Sequence, residues 1–221
     1  MTLVFASNNA HKLSEVRQIM PSHIRVLSLN DIGFTSEIEE NGTTLSANSA
    51  IKTQTIWEYI RRQISDGRCE IDGVFADDTG LEIDALNGAP GVYTARWYMM
   101  KDGGCQMSDV RCQMLDGAGL NRAKALRVLA GEHSRGAQFR TVITLIRVNT
   151  TLPKGEEILQ VEGIVRGRIA EEEYGQGGFG YDPIFIPEGY DKTFAELPAE
   201  VKNSISHRAR ALEALVKSIQ L

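Results

Sequence analysis

The chain has 221 residues, of which 42% are hydrophobic and 24% charged, and its formal net charge is −5 at pH 7. This composition is that of an ordinary globular protein, and the acidic balance argues against binding of a polyanion such as nucleic acid through bulk charge. Three cysteines are too few for a disulfide framework, and no stretch approaches the roughly 18 apolar residues of a membrane span. The apolar run Leu3–Ala6 is too short for a secretory signal. We therefore expect a cytoplasmic protein that forms a single domain over residues 1–221, with neither a membrane nor a nucleic acid as partner.

The first half of the chain alternates short strands and helices. In the first predicted helix, Leu13, Val16 and Ile19 recur at helical spacing, and Pro21 marks its end. A later strand leads into the acidic sequence Asp77–Gly80, after which Leu81–Ile83 resumes an extended pattern. The aspartates at this strand end are candidate site residues, and the alternative is an Asp-rich turn in which Gly80 supplies an unusual φ. The predicted strands are Met1–Ala6, Ile24–Leu29 and Gly73–Ala76, and the predicted helices are Lys12–Met20 and Thr43–Ile64.

The second half of the chain is richer in strands. Residues Met99–Gly119 are rich in Gly, Met and Cys and have no clear period, which predicts a mobile insertion. Pro153-Lys154-Gly155 separates two β-rich runs and indicates a hairpin. The order of elements favours an α/β fold: a mixed, bent β-sheet flanked by helices, in two lobes with the active-site cleft between them. The predicted strands are Phe139–Val148, Ile158–Arg168 and Ile184–Ile186, and the predicted helices are Asn121–Leu129 and a last one that begins at Ser206.

One glycine-rich segment, Gly175–Gly180, matches the Gly-x-Gly-x-x-Gly pattern of dinucleotide-binding proteins. In those proteins the pattern follows a strand and opens a helix. Here the glutamates Glu171–Glu173 precede the glycines, and Pro183 follows them almost at once. We therefore reject a dinucleotide site.

Two other regions have residues suited to phosphate chemistry. Ser7–Lys12 lies between a predicted strand and a predicted helix, where backbone N–H groups and a lysine can hold phosphate oxygens, although alone it is more simply a capped turn. A carboxylate of Asp77 or Asp78 can hold Mg²⁺ or accept a proton from water, and Glu37–Glu40 offers a second carboxylate. Lys52 can face the same phosphates, although a lysine on a helix usually faces solvent.

Two later segments are suited to a nucleobase. Phe179 stands in the glycine-rich loop, where an aromatic ring can stack on a base or be buried beside a tight turn. Lys202 and Ser206–Arg208 supply cationic donors, which can bind the carbonyl oxygens of a base edge or cap a helix and face water. Each cluster alone is ambiguous.

Taken in order, these motifs resemble one known family, the ITP/XTP pyrophosphatases, which cleanse the purine nucleotide pool. The resemblance implies Mg²⁺-dependent hydrolysis of the deaminated nucleotides ITP, dITP and XTP to the monophosphate and pyrophosphate. It also implies a homodimer. The motifs that carry it are Ser7-x-Asn9-x-x-Lys12, Asp77-Asp78-Thr79-Gly80-Leu81, Gly178-Phe179-Gly180-Tyr181-Asp182 and Ile205-Ser206-His207-Arg208, with Lys202.

The resemblance further implies roles for individual residues. Asp78 is the expected general base and is expected to bind Mg²⁺ together with Glu39. Lys12 and Lys52 are expected to neutralise charge on the leaving pyrophosphate, and Phe179 to stack on the purine. The expected substrate-binding residues are Ser7, Asn8, Asn9, Ala10, His11, Lys12, Lys52, Thr79, Phe179, Gly180, Tyr181, Asp182, Lys202, His207 and Arg208.

Three alternatives remain open from the sequence. A Maf-type pyrophosphatase prefers pyrimidine triphosphates, and the motifs at Phe179–Asp182 and Ser206–Arg208 favour the purine enzyme instead. A non-catalytic nucleotide-binding protein is expected to have lost Asp78 or the lysines, and this chain retains them. A nucleic-acid-binding module conflicts with the net charge of −5.

Overall fold

The computed structural model describes residues 1–65, 70–100, 115–153 and 155–219. The described strands form one sheet in the order β2-β1-β3-β5-β6-β7, with β4 paired to β3. β1 pairs in parallel with β2 and β3, whereas the β3–β4 and β6–β7 pairs are antiparallel, so the sheet is mixed and the predicted α/β class is confirmed. The strands are β1 (Thr2–Phe5), β2 (Arg25–Leu27), β3 (Gly73–Ile83), β4 (Pro90–Gly91), β5 (Gly136–Val148), β6 (Glu156–Ile169) and β7 (Phe185–Pro187), and the helices are α1 (Ala10–Ile19), α2 (Leu45–Ser65), α3 (Gly117–Val128), α4 (Ala199–Ile205) and α5 (His207–Ile219).

The chain divides into two compact units. Unit 1 comprises Met1–Asp78, Thr141–Gly163 and Ser206–Leu221, and unit 2 comprises Thr79–Arg140 and Ile164–Ile205, each as far as its residues are described. The single domain expected over residues 1–221 stays a prediction.

The core of unit 1 lies on both faces of its strands. Successive side chains of a strand point to opposite faces. Leu3 and Phe5 accordingly join one apolar cluster, and Val4 and Ala6 join another. Burial on both faces explains why the start of the chain is a continuous apolar run instead of an alternating one. The helix residues in the first cluster include Val16 of α1 and Ala211, Leu212 and Leu215 of α5, and those in the second include Ile56, Trp57 and Ile60 of α2.

Unit 2 has an aromatic core. The ring centroid of Phe185 lies 4.7 Å from that of Phe139 and 5.3 Å from that of Phe194. Tyr181 is buried in the same cluster, and its hydroxyl donates to the carbonyl of Thr94 at 2.9 Å. Burial raises the pKa of Tyr181, which therefore stays a neutral donor.

Two predicted elements differ from the structure. β3 continues through Asp77–Gly80 to Ile83, so the strand end expected after Ala76 and the alternative of an Asp-rich turn are both wrong. The local preference of aspartate for turns is overcome here by buried cationic partners, described below. Residues 101–114 of the predicted insertion, with Cys105 and Cys112, lie outside the described residues, but its last residues are helical. Asp116 caps α3 by accepting a hydrogen bond from the N–H of Gly119 at 2.8 Å.

The other predicted strands and helices are present, with ends displaced by at most a few residues. Helix α4 has no counterpart in the prediction. Among the described helices, none combines the length and the apolar character that crossing a bilayer requires.

Candidate functional site

The segment Ser7–Lys12 forms the N-terminus of α1. Asn9 is the cap residue, and its Oδ1 accepts a hydrogen bond from the N–H of Lys12 at 3.1 Å. Oγ of Ser7 in turn accepts a hydrogen bond from the N–H of Asn9 at 3.3 Å. Residues 8–11 are exposed. The first turn of α1 therefore presents backbone N–H groups and the positive end of the helix dipole at the surface, where both favour anionic oxygens.

Lys12, in the same turn, pairs with a carboxylate of β3. Its Nζ lies 3.0 Å from Oδ1 of Asp77, and Nε of Arg208 donates to Oδ2 of Asp77 at 3.1 Å. Nη1 of Arg208 also donates to Glu15 of α1. The Asp77 side chain is 1% exposed and that of Arg208 is 2% exposed. This buried network links α1, β3 and α5 within unit 1 and fixes the position of the Lys12 ammonium.

The charges in this network set one another's ionisation. Burial opposes the ionised form of Asp77, but Lys12, Arg208 and Lys52 outweigh burial and hold the pKa of Asp77 well below its ordinary range. Burial also lowers the pKa of Lys12, with Arg208 acting in the same direction and Asp77 against it. Asp77 is therefore an ionised carboxylate engaged on both oxygens, which suits it to anchoring cations and not to accepting a proton.

Asp78, the next residue of β3, has a different environment. Its side chain is 12% exposed, Oδ1 lies 3.3 Å from Nζ of Lys52, and Oδ2 accepts a hydrogen bond from Nδ2 of Asn48 at 3.3 Å. Burial raises the pKa of Asp78 above its ordinary value, although Lys52 opposes the shift. A raised pKa makes the carboxylate a stronger base, so Asp78 is better suited than Asp77 to accept a proton.

Lys52 lies between two carboxylates. Its Nζ is 2.9 Å from Oε2 of Glu40 and 3.3 Å from Oδ1 of Asp78, and its side chain is 8% exposed. Burial opposes the charge, but Asp78, Asp77 and Glu40 outweigh burial and raise the pKa of Lys52. The solvent-facing alternative for Lys52 is therefore wrong. Glu39, the expected metal ligand, is exposed, and its neighbour Glu40 contacts Lys52.

Two carboxylates near Lys52, those of Glu40 and Asp78, are candidate metal ligands. Within the described residues, no cluster of three or more His, Cys, Asp or Glu side chains is arranged to hold a metal. Glu40 and Asp78, however, converge on one cationic group. Mg²⁺ is typically bound by one or two carboxylates, with substrate phosphates and water completing its coordination. This donor set therefore fits Mg²⁺ bound together with a phosphate ligand.

In unit 2, three residues expected to bind the base form one cluster. Oδ2 of Asp182 accepts hydrogen bonds from the N–H of Phe179 and from Nζ of Lys202, both at 2.7 Å. Nζ of Lys202 also lies 4.8 Å from the centroid of the Phe179 ring. Asp182 and Lys202 are both buried. Their charges compensate each other, and the carboxylate holds both the ammonium and the backbone that carries the ring.

The remaining expected residues are placed as follows. Thr79 lies in β3 and is partly buried, and Gly180 adopts a φ of 64° beside the buried Tyr181. His207 is buried at the start of α5. The structure places Arg208 against Asp77 and Glu15, so a contact of Arg208 with a base edge stays a prediction.

Residues that the sequence analysis missed also contact the site. Glu15 follows Lys12 by three positions and Asn48 precedes Lys52 by four, so each pair lies on one helix face, a spacing that could have identified both. Glu40 belongs to an acidic run, and the choice of one member could not be made from spacing alone.

The comparisons with known proteins agree with this fold and show the family. The model of the Ham1 family matches residues 3–218. A dITP/XTP pyrophosphatase from Flavobacterium johnsoniae is 42% identical over 216 residues, covering 98% of this chain and 96% of that protein. A dITP/XTP pyrophosphatase from Bacillus subtilis is 40% identical over 220 residues, covering 98% of this chain and 96% of that protein. The chain belongs to the Ham1 family.

Solved structures give the same result. The Staphylococcus aureus Ham1 protein matches with a TM-score of 0.75 and 32% sequence identity, covering 100% of this chain and 98% of that chain. A nucleoside-triphosphatase, also named dITP/XTP pyrophosphatase, from Mycobacterium abscessus matches with a TM-score of 0.67 and 35% sequence identity. The match covers 98% of this chain and 99% of that chain. Both matches extend over nearly the whole length of the chains compared.

Proposed function

We propose that this protein is a Mg²⁺-dependent nucleoside triphosphate pyrophosphatase that hydrolyses ITP, dITP and XTP to the monophosphate and pyrophosphate. The relatives named dITP/XTP pyrophosphatase support the activity, since they align over nearly their full length. The observation that carries the proposal is the pair of adjacent aspartates in β3, in which Asp77 anchors Lys12 while the more exposed Asp78 has a raised pKa.

Asp78 is the general base. It accepts a proton from the attacking water, which forms the new P–O bond as the α–β phosphoanhydride bond breaks and pyrophosphate leaves. Hydrogen bonding by Asn48 and the contact with Lys52 orient its carboxylate. General-base catalysis of this kind contributes roughly 100- to 10,000-fold to the rate.

The phosphate chain is bound in unit 1. The exposed N-terminal turn of α1 binds phosphate oxygens, and Lys12 and Lys52 neutralise charge that develops on the leaving pyrophosphate. Both lysines are already held by carboxylates, so little reorganisation is needed when the substrate binds. Ser7, Asn8, Asn9, Ala10, His11 and Thr79 complete the proposed phosphate-binding set.

Asp78 and Glu39 are the proposed Mg²⁺ ligands, and Glu40 is the alternative to Glu39 because it already faces Asp78 through Lys52. When bound, the metal would supply Lewis-acid stabilisation of negative charge on the phosphate oxygens.

The cluster of Phe179, Asp182 and Lys202 binds the base. Phe179 stacks on the purine, and Lys202 donates to a ring carbonyl. A 6-oxo group accepts hydrogen bonds where the 6-amino group of adenine donates, so fixed donors left unpaired with ATP discriminate against it. Gly180, Tyr181, Asp182, His207 and Arg208 complete the proposed base-binding set.

Product analysis tests the proposed reaction. Incubation with ITP and Mg²⁺ should yield IMP and pyrophosphate in equal amounts, with no orthophosphate at early times. Release of orthophosphate with formation of IDP would reject cleavage at the α–β bond. No turnover would instead favour a non-catalytic nucleotide-binding protein. A homodimer and a cytoplasmic location are part of the proposal and are tested by sedimentation and fractionation.

A further inference from the structure

The loop that carries Phe179 has little rigidity of its own. Gly178 and Gly180 flank the aromatic residue with φ values of 70° and 64°, in the left-handed region that favours glycine. Glycine on both sides leaves the backbone free to adopt many conformations unless other contacts restrain it. Ordering such a loop on binding would reduce affinity, so contacts that order it beforehand increase affinity.

Contacts on both sides of Phe179 restrain the loop. Before it, the N–H of Gly177 donates to the carbonyl of Ala195 at 3.1 Å, and the N–H of Phe179 itself donates to Asp182. After it, Nη1 of Arg122 donates to the carbonyl of Gly180 at 2.9 Å. The Arg122 contact comes from helix α3, outside the motifs that carry the resemblance to the ITP/XTP pyrophosphatases.

Arg122 is held near this carbonyl by a second contact, with Glu173. Its side chain is 17% exposed, and its Nε lies 3.0 Å from Oε2 of Glu173. This ion pair keeps the guanidinium beside Glu173, and because Nε has no hydrogen-bond acceptor among the described residues, the direction of Nη1 is set by its own hydrogen bond to Gly180. Glu173 precedes the glycine-rich segment and Gly180 ends it, so one side chain holds both ends of the loop.

We propose that Arg122 is a positioning residue for nucleobase recognition: by bridging Glu173 and the carbonyl of Gly180, it holds Phe179 ready to stack on the purine. The inference rests on the proposed function, in which Phe179 binds the base. Stacking is equally strong in the ground state and the transition state, so loss of Arg122 raises KM and leaves kcat unchanged.

The first test compares Arg122→Ala with the wild type on ITP. KM is expected to rise about 3- to 10-fold, below the full value of a stacking contact because Phe179 is still present. The Kd of the product IMP, measured by calorimetry, should rise by the same factor. Arg127→Ala is the matched control, because Arg127 is exposed on the same helix and should change neither value.

A double-mutant cycle separates positioning from general stabilisation. If Arg122 acts through Phe179, then Arg122→Ala should have no further effect on the KM for ITP in a Phe179→Ala background. Equal effects of Arg122→Ala in both backgrounds would overturn the proposal, as would a drop in kcat at unchanged KM and IMP affinity.

A second variant covers the case in which Arg122→Ala unfolds. Glu173→Gln keeps the donor to Gly180 but removes the charge that holds the guanidinium nearby, so it should raise KM by a smaller factor than Arg122→Ala. An unchanged KM in Glu173→Gln would then overturn the proposal. Failure of the wild type to hydrolyse ITP contradicts the proposed function itself, whereas normal ITP hydrolysis with no effect at Arg122 contradicts this inference alone.

Discussion

The carboxylates of Asp77 and Asp78 are adjacent in β3 but differ in what they contact: Asp77 is 1% exposed and bound on both oxygens by cations, whereas Asp78 is 12% exposed and has a raised pKa. Successive side chains of a strand point to opposite faces, which allows neighbours to have different environments. The pair therefore separates a structural anion, Asp77, from the proposed catalytic base, Asp78.

Asp78→Asn tests the catalytic half of this division. The amide keeps the shape of the side chain but is a far weaker proton acceptor, so kcat for ITP should fall at least about 100-fold. The melting temperature should change little, because Lys52 keeps Glu40 as a partner. Steady-state kinetics and thermal unfolding of the purified variant check both expectations. An active Asp78→Asn enzyme would show that the base has been assigned to the wrong residue.

Asp77→Asn tests the structural role of Asp77 as the anion shared by Lys12 and Arg208. The substitution leaves the buried Lys12 and Arg208 without their shared anion, and loss of one partner from a buried ion pair costs about 3–5 kcal/mol. We expect a large decrease in the free energy of unfolding, measured by urea denaturation at pH 7. A variant as stable as the wild type would contradict the role of Asp77 as an anchor.

The difference in unfolding free energy between wild type and Asp77→Asn depends on pH, because the pKa of Asp77 is lowered in the folded protein. The unfolded carboxyl has a pKa of about 3.8 and the folded one a lower value, so the stabilisation by Asp77 is complete above that pH. As the pH falls below 3.8, the unfolded state binds protons first and the stabilisation is progressively lost. This difference should therefore become smaller as the pH falls. A difference that grows with acidification would contradict a lowered pKa of Asp77 in the folded protein.

Glu39→Gln and Glu40→Gln form a matched pair that identifies the carboxylate partner of Asp78 for Mg²⁺. The wild type should lose activity on chelation with EDTA and regain it with added Mg²⁺. Removing a carboxylate ligand weakens metal binding, so one of the two variants should need at least about 10-fold more Mg²⁺ for half-maximal rate. A shift in Glu39→Gln supports the ligand expected from the family resemblance, and a shift in Glu40→Gln supports the one that faces Lys52. Unchanged Mg²⁺ requirements in both would exclude the acidic run from metal binding.

Lys12→Ala and Lys202→Met separate phosphate binding from base recognition. The triphosphate is common to all nucleotides, so Lys12→Ala should lower kcat/KM for ITP and ATP by a similar factor. Lys202→Met removes a donor proposed for the base and should narrow the preference for ITP over ATP by about 10-fold or more, the value of a hydrogen bond from a charged donor. The ratio of kcat/KM values for the two nucleotides in each variant is the measurement. A preference that collapses in Lys12→Ala and survives in Lys202→Met would mean that the two roles are exchanged.

The fold could be predicted where local patterns determine it. The apolar periodicity of Leu13, Val16 and Ile19 predicted α1, and the continuous apolar run at the start of the chain predicted β1. The strand end expected after Ala76, with a turn at Asp77–Gly80 as the alternative, was wrong because the local preference of aspartate for turns was overridden by Lys12 and Arg208. Arg208 is far from Asp77 in the chain, and no spacing in the sequence reveals such a pair.

The site could be predicted only in part, because sequence patterns reveal contacts within one helical turn but not contacts between distant segments. Contacts within one turn, such as Asn9 with Lys12, follow from capping patterns. The cluster of Phe179, Asp182 and Lys202 was expected from motifs, but the bond between Asp182 and Lys202 was not. Arg122 lies outside every motif, and its contact with Gly180 depends on how α3 packs against the glycine-rich loop of unit 2.

Substrate preference is the most direct test of the proposed activity. The measurement is kcat/KM for pyrophosphate release from ITP, dITP, XTP, ATP, GTP, CTP and UTP, each with Mg²⁺ and at equal enzyme concentration. ITP, dITP and XTP should be hydrolysed at least about 100-fold more efficiently than ATP, because unpaired donors in a base site cost several powers of ten. Equal efficiency for all bases, or a preference for CTP and UTP, would contradict the proposed activity.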